Sequence, residues 1–306
     1  MSTPNGPDQK IVITAATGRL GRLVVAELLN QGLPAGNIAA AVRSPQTAAS
    51  LAELGVEIRH ADYTEPQTLG PAFAGADRLL LIPSAEYGQR FPQMKNAIDA
   101  AVKANVSQIA YTSFVNTPVS TLRLADEHKQ AEAYVVRSGL PFTFLRNGGY
   151  TELYTGELGD IGPALDSGVM YGCAGEGRVS GATRADLAAA AARVLLGAVG
   201  SGQAHAAANN GRVYELGGTA FSLHEVAAEF SRQSGRPLRY QDLSVGEYAE
   251  TLTTQGLPRE FADLLADTSL AVSNGDWFTT SNDLEQLIER PAVPLADVIA
   301  TQLRAF

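Results

Sequence analysis

Ile11-Val12-Ile13-Thr14-Ala15-Ala16-Thr17-Gly18-Arg19-Leu20-Gly21 decides the fold. Ile11 to Thr14 are all β-branched and read as a buried strand. Beyond them, Leu20, Leu23, Val24 and Leu28 recur at helical spacing until Gly32 stops the helix. In the turn between, Gly18 lets the backbone approach a pyrophosphate closely, and Gly21 lets the helix pack tightly on the strand. The helix N-terminus offers free N–H groups and the positive end of its dipole to phosphates. Ala15 stands where the usual pattern has its first glycine, so this turn is expected to hold Ala15 at negative φ. A glycine pair alone carries little weight. Set between a strand and an amphipathic helix, it points to a bound dinucleotide.

The same alternation continues along the chain. Ile38 to Val42, Val56 to His60, Leu79 to Ile82, Gln108 to Thr112 and Phe142 to Leu145 read as further strands. The run Leu79 to Ile82 is apolar on both faces, as a central parallel strand must be. Helices are expected over Ala97 to Ala104 and Asp126 to Arg137, the second closed by Gly139. Strand, helix, strand predicts an α/β fold: a Rossmann-type doubly wound parallel sheet over residues 11–146. Ligands in such sheets sit beyond the carboxyl ends of the strands, where the strand order reverses.

After Arg146 the rhythm changes. Residues 147–182 are rich in Gly and Tyr, with only short apolar runs. Thr183 and Asp186 have cap spacing and open an alanine-rich helix, and Gly211 to Gly217 reads as one more strand. We assign 183–217 to the first domain, and 147–182 with 218–306 to a smaller C-terminal α/β lobe. Ser222 with Glu225 and Ser244 with Glu247 open two of its helices. Residues 1–10, polar and carrying Pro4 and Pro7, read as a disordered tail without the apolar core of a signal peptide.

Composition narrows the function classes. The 306 residues are 45% apolar and 18% charged, which suits a globular protein. A net charge of −9 with no basic run disfavours nucleic acid and anionic membranes. Leu187 to Val199, the most apolar stretch, is broken by Arg193 and too short to span a bilayer, so a cytoplasmic location is expected. The single cysteine, Cys173, excludes an internal disulfide framework and reads as a small buried hydrophobe. His60, His128, His205 and His224 are scattered, and no metal site is expected. There is one glycine turn and no second, so no flavin carrier is expected either. A homo-oligomer is left open.

The second strand ends in Arg43, where an NAD-selective protein usually carries an acidic residue. A guanidinium there matches a 2′-phosphate through forked, charge-assisted bonds, and Arg19 offers a second cation. The expected cofactor is therefore NADPH.

With this turn, Arg43, Leu124-Ala125-Asp126-Glu127-His128 and Leu145-Arg146-Asn147-Gly148-Gly149-Tyr150, the chain resembles the NmrA-like atypical short-chain dehydrogenases. More narrowly it is similar to their bacterial NADPH-dependent quinone oxidoreductases, including at His60-Ala61-Asp62-Tyr63, Ala110-Tyr111-Thr112-Ser113 and Ala182-Thr183-Arg184-Ala185-Asp186. The resemblance implies that Ala15, Ala16, Thr17, Gly18, Arg19 and Leu20 hold the pyrophosphate and Arg43 the 2′-phosphate. Pro83 and Ser84 would line the ribose and nicotinamide, with Asn147, Gly148, Gly149, Tyr150, Thr151 and Glu152 as the opposite wall. It also implies a small-molecule quinone as substrate. Some members of the family bind dinucleotide without turning it over, so the alternative is a redox sensor that signals to a partner.

No tyrosine is followed by lysine at the Tyr-x-x-x-Lys spacing of standard short-chain dehydrogenases, and Tyr150 has Tyr154 four residues on. A quinone needs less acid help, because its reduction gives a resonance-stabilised anion that water can protonate; orientation supplies most of the catalysis. His128 aligns with a functional lysine of related ether and isoflavone reductases, and a histidine there is expected to donate a proton or hydrogen bond near neutral pH. The alternative pairs it with Glu132, one turn on. Ser113 is a candidate donor to substrate, and Tyr150, Tyr154 and Phe91 are candidates to stack on it. Lys129 with Glu132 reads as a solvated ion pair, and Arg184 with Asp186 as a helix start.

Overall fold

The computed structural model of the chain describes residues 9–157, 161–197 and 210–304. Residues 1–8 of the expected tail, and His205, lie outside these. Lys10, the last residue assigned to that tail, is instead fixed. Its backbone N–H donates to Asp77 Oδ2 at 2.7 Å and its Nζ to the Gly36 carbonyl at 2.8 Å, which seats the start of the sheet.

The first half runs β1 (Ile11–Thr14), α1 (Arg19–Asn30), β2 (Ile38–Val42), α2 (Ala49–Glu53), β3 (Glu57–His60), α3 (Pro66–Phe73) and β4 (Arg78–Leu81). It continues with α4 (Arg90–Lys103), β5 (Gln108–Phe114), α5 (Ala125–Ser138) and β6 (Phe142–Asn147). The second half contributes β7 (Gly149–Tyr150), α6 (Ile161–Ser167), β8 (Val169–Gly172), β9 (Arg178–Ala182), α7 (Arg184–Leu196) and β10 (Arg212–Leu216). It closes with β11 (Ala220–Ser222), α8 (Leu223–Ser234), β12 (Arg239–Asp242), α9 (Val245–Thr254), α10 (Arg259–Ser273), α11 (Asp283–Ile288) and α12 (Leu295–Arg304).

Seven parallel strands form the main sheet in the order β10-β6-β5-β4-β1-β2-β3. The order reverses between β1 and β4, the predicted doubly wound topology. One face buries Val24 and Leu28 of α1 with Leu187 and Ala191 of α7. The other buries Phe73 of α3, Met94 and Ile98 of α4, and Val135 of α5. Beneath the sheet the buried Arg78 guanidinium donates to the Val194 carbonyl at 3.0 Å and to that of Leu195, capping α7 from the foot of β4. Gly139 and Gly197 end α5 and α7 in the left-handed region, at φ 77 and 73.

The elements depart from the sequence expectation where tertiary contacts intervene. Helix α4 starts at Arg90 rather than Ala97, because the Glu127 carboxylate of α5 accepts the Gly88 and Phe91 N–H groups at 3.0 and 3.1 Å. Strands β5 and β6 each run two residues further than expected, to Phe114 and Asn147, because these two pair with each other. Ser113 and Asn147 therefore sit inside strands.

In the smaller lobe, β7, β9 and β11 make a three-stranded sheet, and β8 pairs with β12. Phe221, Phe230, Val226, Val179 and Ile299 form its core. Ser222 and Ser244 each make the reciprocal cap expected of them. Within the stretch assigned to the lobe, α11 packs instead on the first domain: its Leu284 and Leu287 join the α1–α7 core. Among the described residues no helix is long and apolar enough to cross a membrane.

Candidate active site

The β1–α1 turn holds the phosphate cradle. Gly18 N–H donates back to the Ala15 carbonyl at 2.8 Å, which folds the turn upon itself. The close return puts Ala15 at φ 48, in the left-handed region, and corrects the expectation of a negative φ. Alanine bears this at a cost of about 1–2 kcal/mol, which glycine would not incur. A side chain at Gly21 would come within 2.7 Å of Ala16 Cα and closer still to the Ala15 carbonyl, so only glycine fits. Helix α1 has no side-chain cap at Gly18 and no acidic residue in its first turn. Its positive end is thus left to an anion, and the cradle fits a dinucleotide pyrophosphate.

A groove runs from this turn along the sheet's carboxyl edge. Thr14, Ala15, Thr17 and Gly18 line it, with Ala41 and Arg43 after β2, Asp62 to Thr64 after β3, and Ser84 to Glu86 after β4. Ala16, Leu20 and Gly21 lie beneath it in the packing, and Arg19 is exposed. Thr14 Oγ1 donates to the Leu80 carbonyl at 3.1 Å and accepts the Ile82 N–H at 2.9 Å, locking β1 to β4 where the order reverses. Arg43 reaches across the mouth to Glu86 at 3.1 Å, with both side chains largely exposed. Such a pair contributes at most about 1 kcal/mol, so a phosphate can displace the Glu86 carboxylate from Arg43.

Beside the groove, Ser84 and Ala85 are also part of the wall of a second cavity. Pro83, Ser113, His128, Asn147, Gly148 and Tyr150 line it, together with Arg90 of α4, Phe114 of β5 and Trp277. The structure thus gathers most of the predicted wall around one space. His128 Nδ1 lies 2.9 Å from the Tyr111 hydroxyl, and its ring sits edge-on to Phe114. Burial, and then the Arg90 charge, lower its pKa to about 3. His128 is therefore neutral at physiological pH, which corrects the expectation of a proton donor there. Burial also keeps the Tyr111 phenol protonated. A fully buried phenol donates its proton, here to Nδ1, so the imidazole proton resides on Nε2. The alternative partner, Glu132, is bound by Arg146 at 3.0 and 2.6 Å.

Ser113 Oγ lies 2.8 Å from Thr117 Oγ1, whose own proton goes to the Phe114 carbonyl at 2.6 Å. With the Thr117 proton on that carbonyl, the Ser113 hydroxyl is engaged with Thr117 at the cavity wall. Tyr150 has the Arg184 guanidinium 4.4 Å from its ring centroid, and burial raises its phenol pKa. Asn147 faces that phenol, but its Nδ2 makes no hydrogen bond of normal geometry.

The backbone and the remaining expected residues are engaged in the fold. Gly148 N–H donates to the Leu216 carbonyl at 2.8 Å, and a side chain at Gly149 would strike Val179. Thr151 is buried, and Glu152 accepts the Arg184 N–H at 2.9 Å. Tyr154 packs edge-on with Phe221, and Phe91 with Tyr134, both away from the cavity. Lys129 binds the Ser120 carbonyl at 2.8 Å and Asp126 instead of Glu132. Thr183 caps α7 by accepting the Asp186 N–H at 3.1 Å, and the Asp186 carboxylate accepts the Val293 N–H at 2.9 Å. Cys173 is buried, as expected.

Sequence reasoning missed Arg90, Glu86 and Trp277. Arg90 is a cation a few residues past the central strand β4, where a ligand belongs, and Trp277 is the lone tryptophan. Those were the available signals. Asp276 fixes Trp277 by accepting the Thr121 N–H at 2.7 Å and the Ser120 hydroxyl at 3.0 Å, a tie between residues 155 and 156 positions apart.

Ala15→Gly should raise stability by about 1 kcal/mol, a gain of a few degrees in Tm, with the cofactor still bound. Unchanged or lowered Tm would mean that the left-handed alanine costs nothing. The His128 ring resonances should show no titration between about pH 5 and pH 8. Because its pKa is depressed on folding, the unfolded chain binds the extra proton. Stability should therefore fall as pH drops from about 6.5 toward 3, in wild type more than in His128→Asn.

Comparison with known proteins agrees with this geometry. The NAD(P)H-binding family matches residues 15–197. Quinone oxidoreductase 2 of Escherichia coli is 44% identical over 95% of this chain and 97% of its own. The NADPH complex of the NADPH-dependent quinone oxidoreductase from Escherichia coli superposes with a TM-score of 0.89, covering 96% of this chain and 99% of that one at 44% identity. The Citrobacter sp. triphenylmethane reductase complexed with NADP(H) gives 0.88 at 35% identity, covering 96% and 100%. A glycine cradle that only Gly21 permits, an uncapped helix end and these full-length similarities agree: the chain belongs to the NAD(P)H-binding family, among its NmrA-like members.

Proposed function

We propose that this protein is an NADPH-dependent reductase that passes hydride directly to a quinone. The observation that carries the reading is that the two cavities share Ser84 and Ala85 in their walls: the phosphate cradle adjoins an aromatic-walled space. The 44% identity to a quinone oxidoreductase names the acceptor class and disfavours the sensor alternative. When bound, the reduced nicotinamide supplies two electrons and one hydrogen.

The chain's own residues bind and orient. The uncapped start of α1 holds the pyrophosphate, and Arg43, released from Glu86, holds the 2′-phosphate. Tyr150, fixed by Arg184, and Phe114, stacked on Trp277 at 5.2 Å, clamp a flat ring. Neutral His128 directs an N–H toward an acceptor oxygen rather than delivering a proton. Water protonates the product. The acidic surface gives nucleic acid no attraction, and the protein acts in the cytoplasm.

Arg43→Ala should weaken NADPH binding by roughly 1.5–3 kcal/mol while leaving NADH nearly untouched. Equal losses in calorimetric titrations would remove Arg43 from the 2′-phosphate. Direct transfer requires both substrates on the protein at once. Purified protein should oxidise NADPH with small quinones, remain colourless and give intersecting double-reciprocal plots. Parallel plots together with a bound flavin would defeat the mechanism.

A further inference from the structure

The second cavity concentrates unpaired donors. Among the described residues, the buried side-chain nitrogens without a hydrogen-bond partner are Arg78 Nη2, Arg90 Nη1, Asn147 Nδ2 and Trp277 Nε1. Arg78 caps α7, but Arg90, Asn147 and Trp277 all line this one cavity. Arg90 and Asn147 are more than nine-tenths buried, with 6% and 4% of their surface exposed. An unpaired buried donor costs about 1–3 kcal/mol, more if charged, so three in one cavity mark a place for an acceptor.

The surroundings hold Arg90 in place and leave its Nη1 without a hydrogen-bond partner. Its Nε donates to the Ser84 carbonyl at 2.9 Å. Glu127, the nearby carboxylate, is occupied by the Gly88 and Phe91 N–H groups. Of the wall's other polar side chains, His128 is neutral and the Tyr150 phenol lies against the Arg184 guanidinium, which the Glu152 carboxylate pairs at 3.7 Å. The cavity wall thus carries a buried guanidinium with an unpaired nitrogen, within a protein of net charge −9.

We propose that Arg90, assisted by the Asn147 amide and the Trp277 indole N–H, forms an anion-stabilising pocket for the acceptor oxygen on which negative charge develops. The inference rests on the quinone reading and deepens it. In the reaction the C4–H bond of the dihydronicotinamide breaks with its electron pair, and that hydrogen bonds to the quinone. The cofactor is oxidised to NADP⁺, the quinone is reduced by two electrons to the hydroquinone monoanion, and water then supplies the second proton. A buried guanidinium stabilises that monoanion more than the neutral quinone, which is what lowers the barrier. Arg90 is thus a catalytic residue, and the ligand class is a planar carbonyl compound whose reduced form is a phenolate. A cationic acceptor gains nothing from this donor set.

The test uses p-nitrophenol, which absorbs in the visible only as its phenolate, bound to the NADP⁺ complex. In wild type the bound probe should ionise at a lower pH than free probe, by at least one unit. In Arg90→Gln the shift should vanish while the probe still competes with quinone. Trp277→Phe, which keeps the stack and removes the N–H, should give a smaller shift and remains informative if Arg90→Gln does not fold. With quinone, Arg90→Gln should lower kcat about 100-fold, with NADPH affinity unchanged. The steepest losses should fall on quinones whose hydroquinones are the weakest acids. A wild-type probe that ionises at the free pH, or an equal shift in Arg90→Gln, would overturn the pocket. A wild type that shifts the probe yet reduces no quinone would instead overturn the proposed function and leave the pocket standing.

Discussion

The Ala15 carbonyl occupies the space that a side chain at Gly21 would need, and the rest of the molecule is arranged around that contact. It brings the start of α1 down onto the end of β1, pushes Ala15 into the left-handed region and leaves the helix N-terminus bare. Thr14, one residue earlier, ties the same strand end to β4 through Leu80 and Ile82. A parallel sheet has room for a ligand where its order reverses, and these contacts hold that crevice open and rigid. The strain at Ala15 is small beside the packing it allows.

Charge is distributed in the same spirit. An acidic protein that binds a polyanionic cofactor must offset its own field locally. Three positive features lie along the groove and the cavity beside it: the uncapped dipole of α1, Arg43 at the groove's mouth, and Arg90 in the wall of the second cavity. They differ in cost. Arg43 is exposed and loosely engaged with Glu86, so it reorganises cheaply. Arg90 is buried, and burial lowers its pKa, so the fold has to hold it against the desolvation penalty. Its charge in turn helps keep His128 neutral. Burial does the larger part, and the buried cation adds to it.

The smaller lobe completes the site through few residues. Trp277 reaches the cavity because Asp276 is bound by Ser120, Thr121 and Leu122 of the β5–α5 connection. Asn116 reinforces the joint through the Asp276 and Phe278 carbonyls at 3.1 and 2.6 Å. These bonds connect residues more than 150 positions apart, so the aromatic wall and the sheet behave as one unit.

The sequence by itself determined the strand–helix rhythm, the glycine turn between β1 and α1, the arginine that follows β2 and the caps at Thr183, Ser222 and Ser244. All of these are local: a period, a glycine or a side chain bonding its own backbone three residues on. Only the tertiary structure decided that α4 begins at Arg90, because its cap is Glu127, far along the chain. It decided that His128 meets Tyr111 instead of Glu132, since a buried strand residue outcompetes the neighbour one helical turn away. It decided, too, that Arg90, Asn147 and Trp277 share one cavity. Burial and distant partners set the protonation and direction of a side chain, and neither is written in the residues beside it.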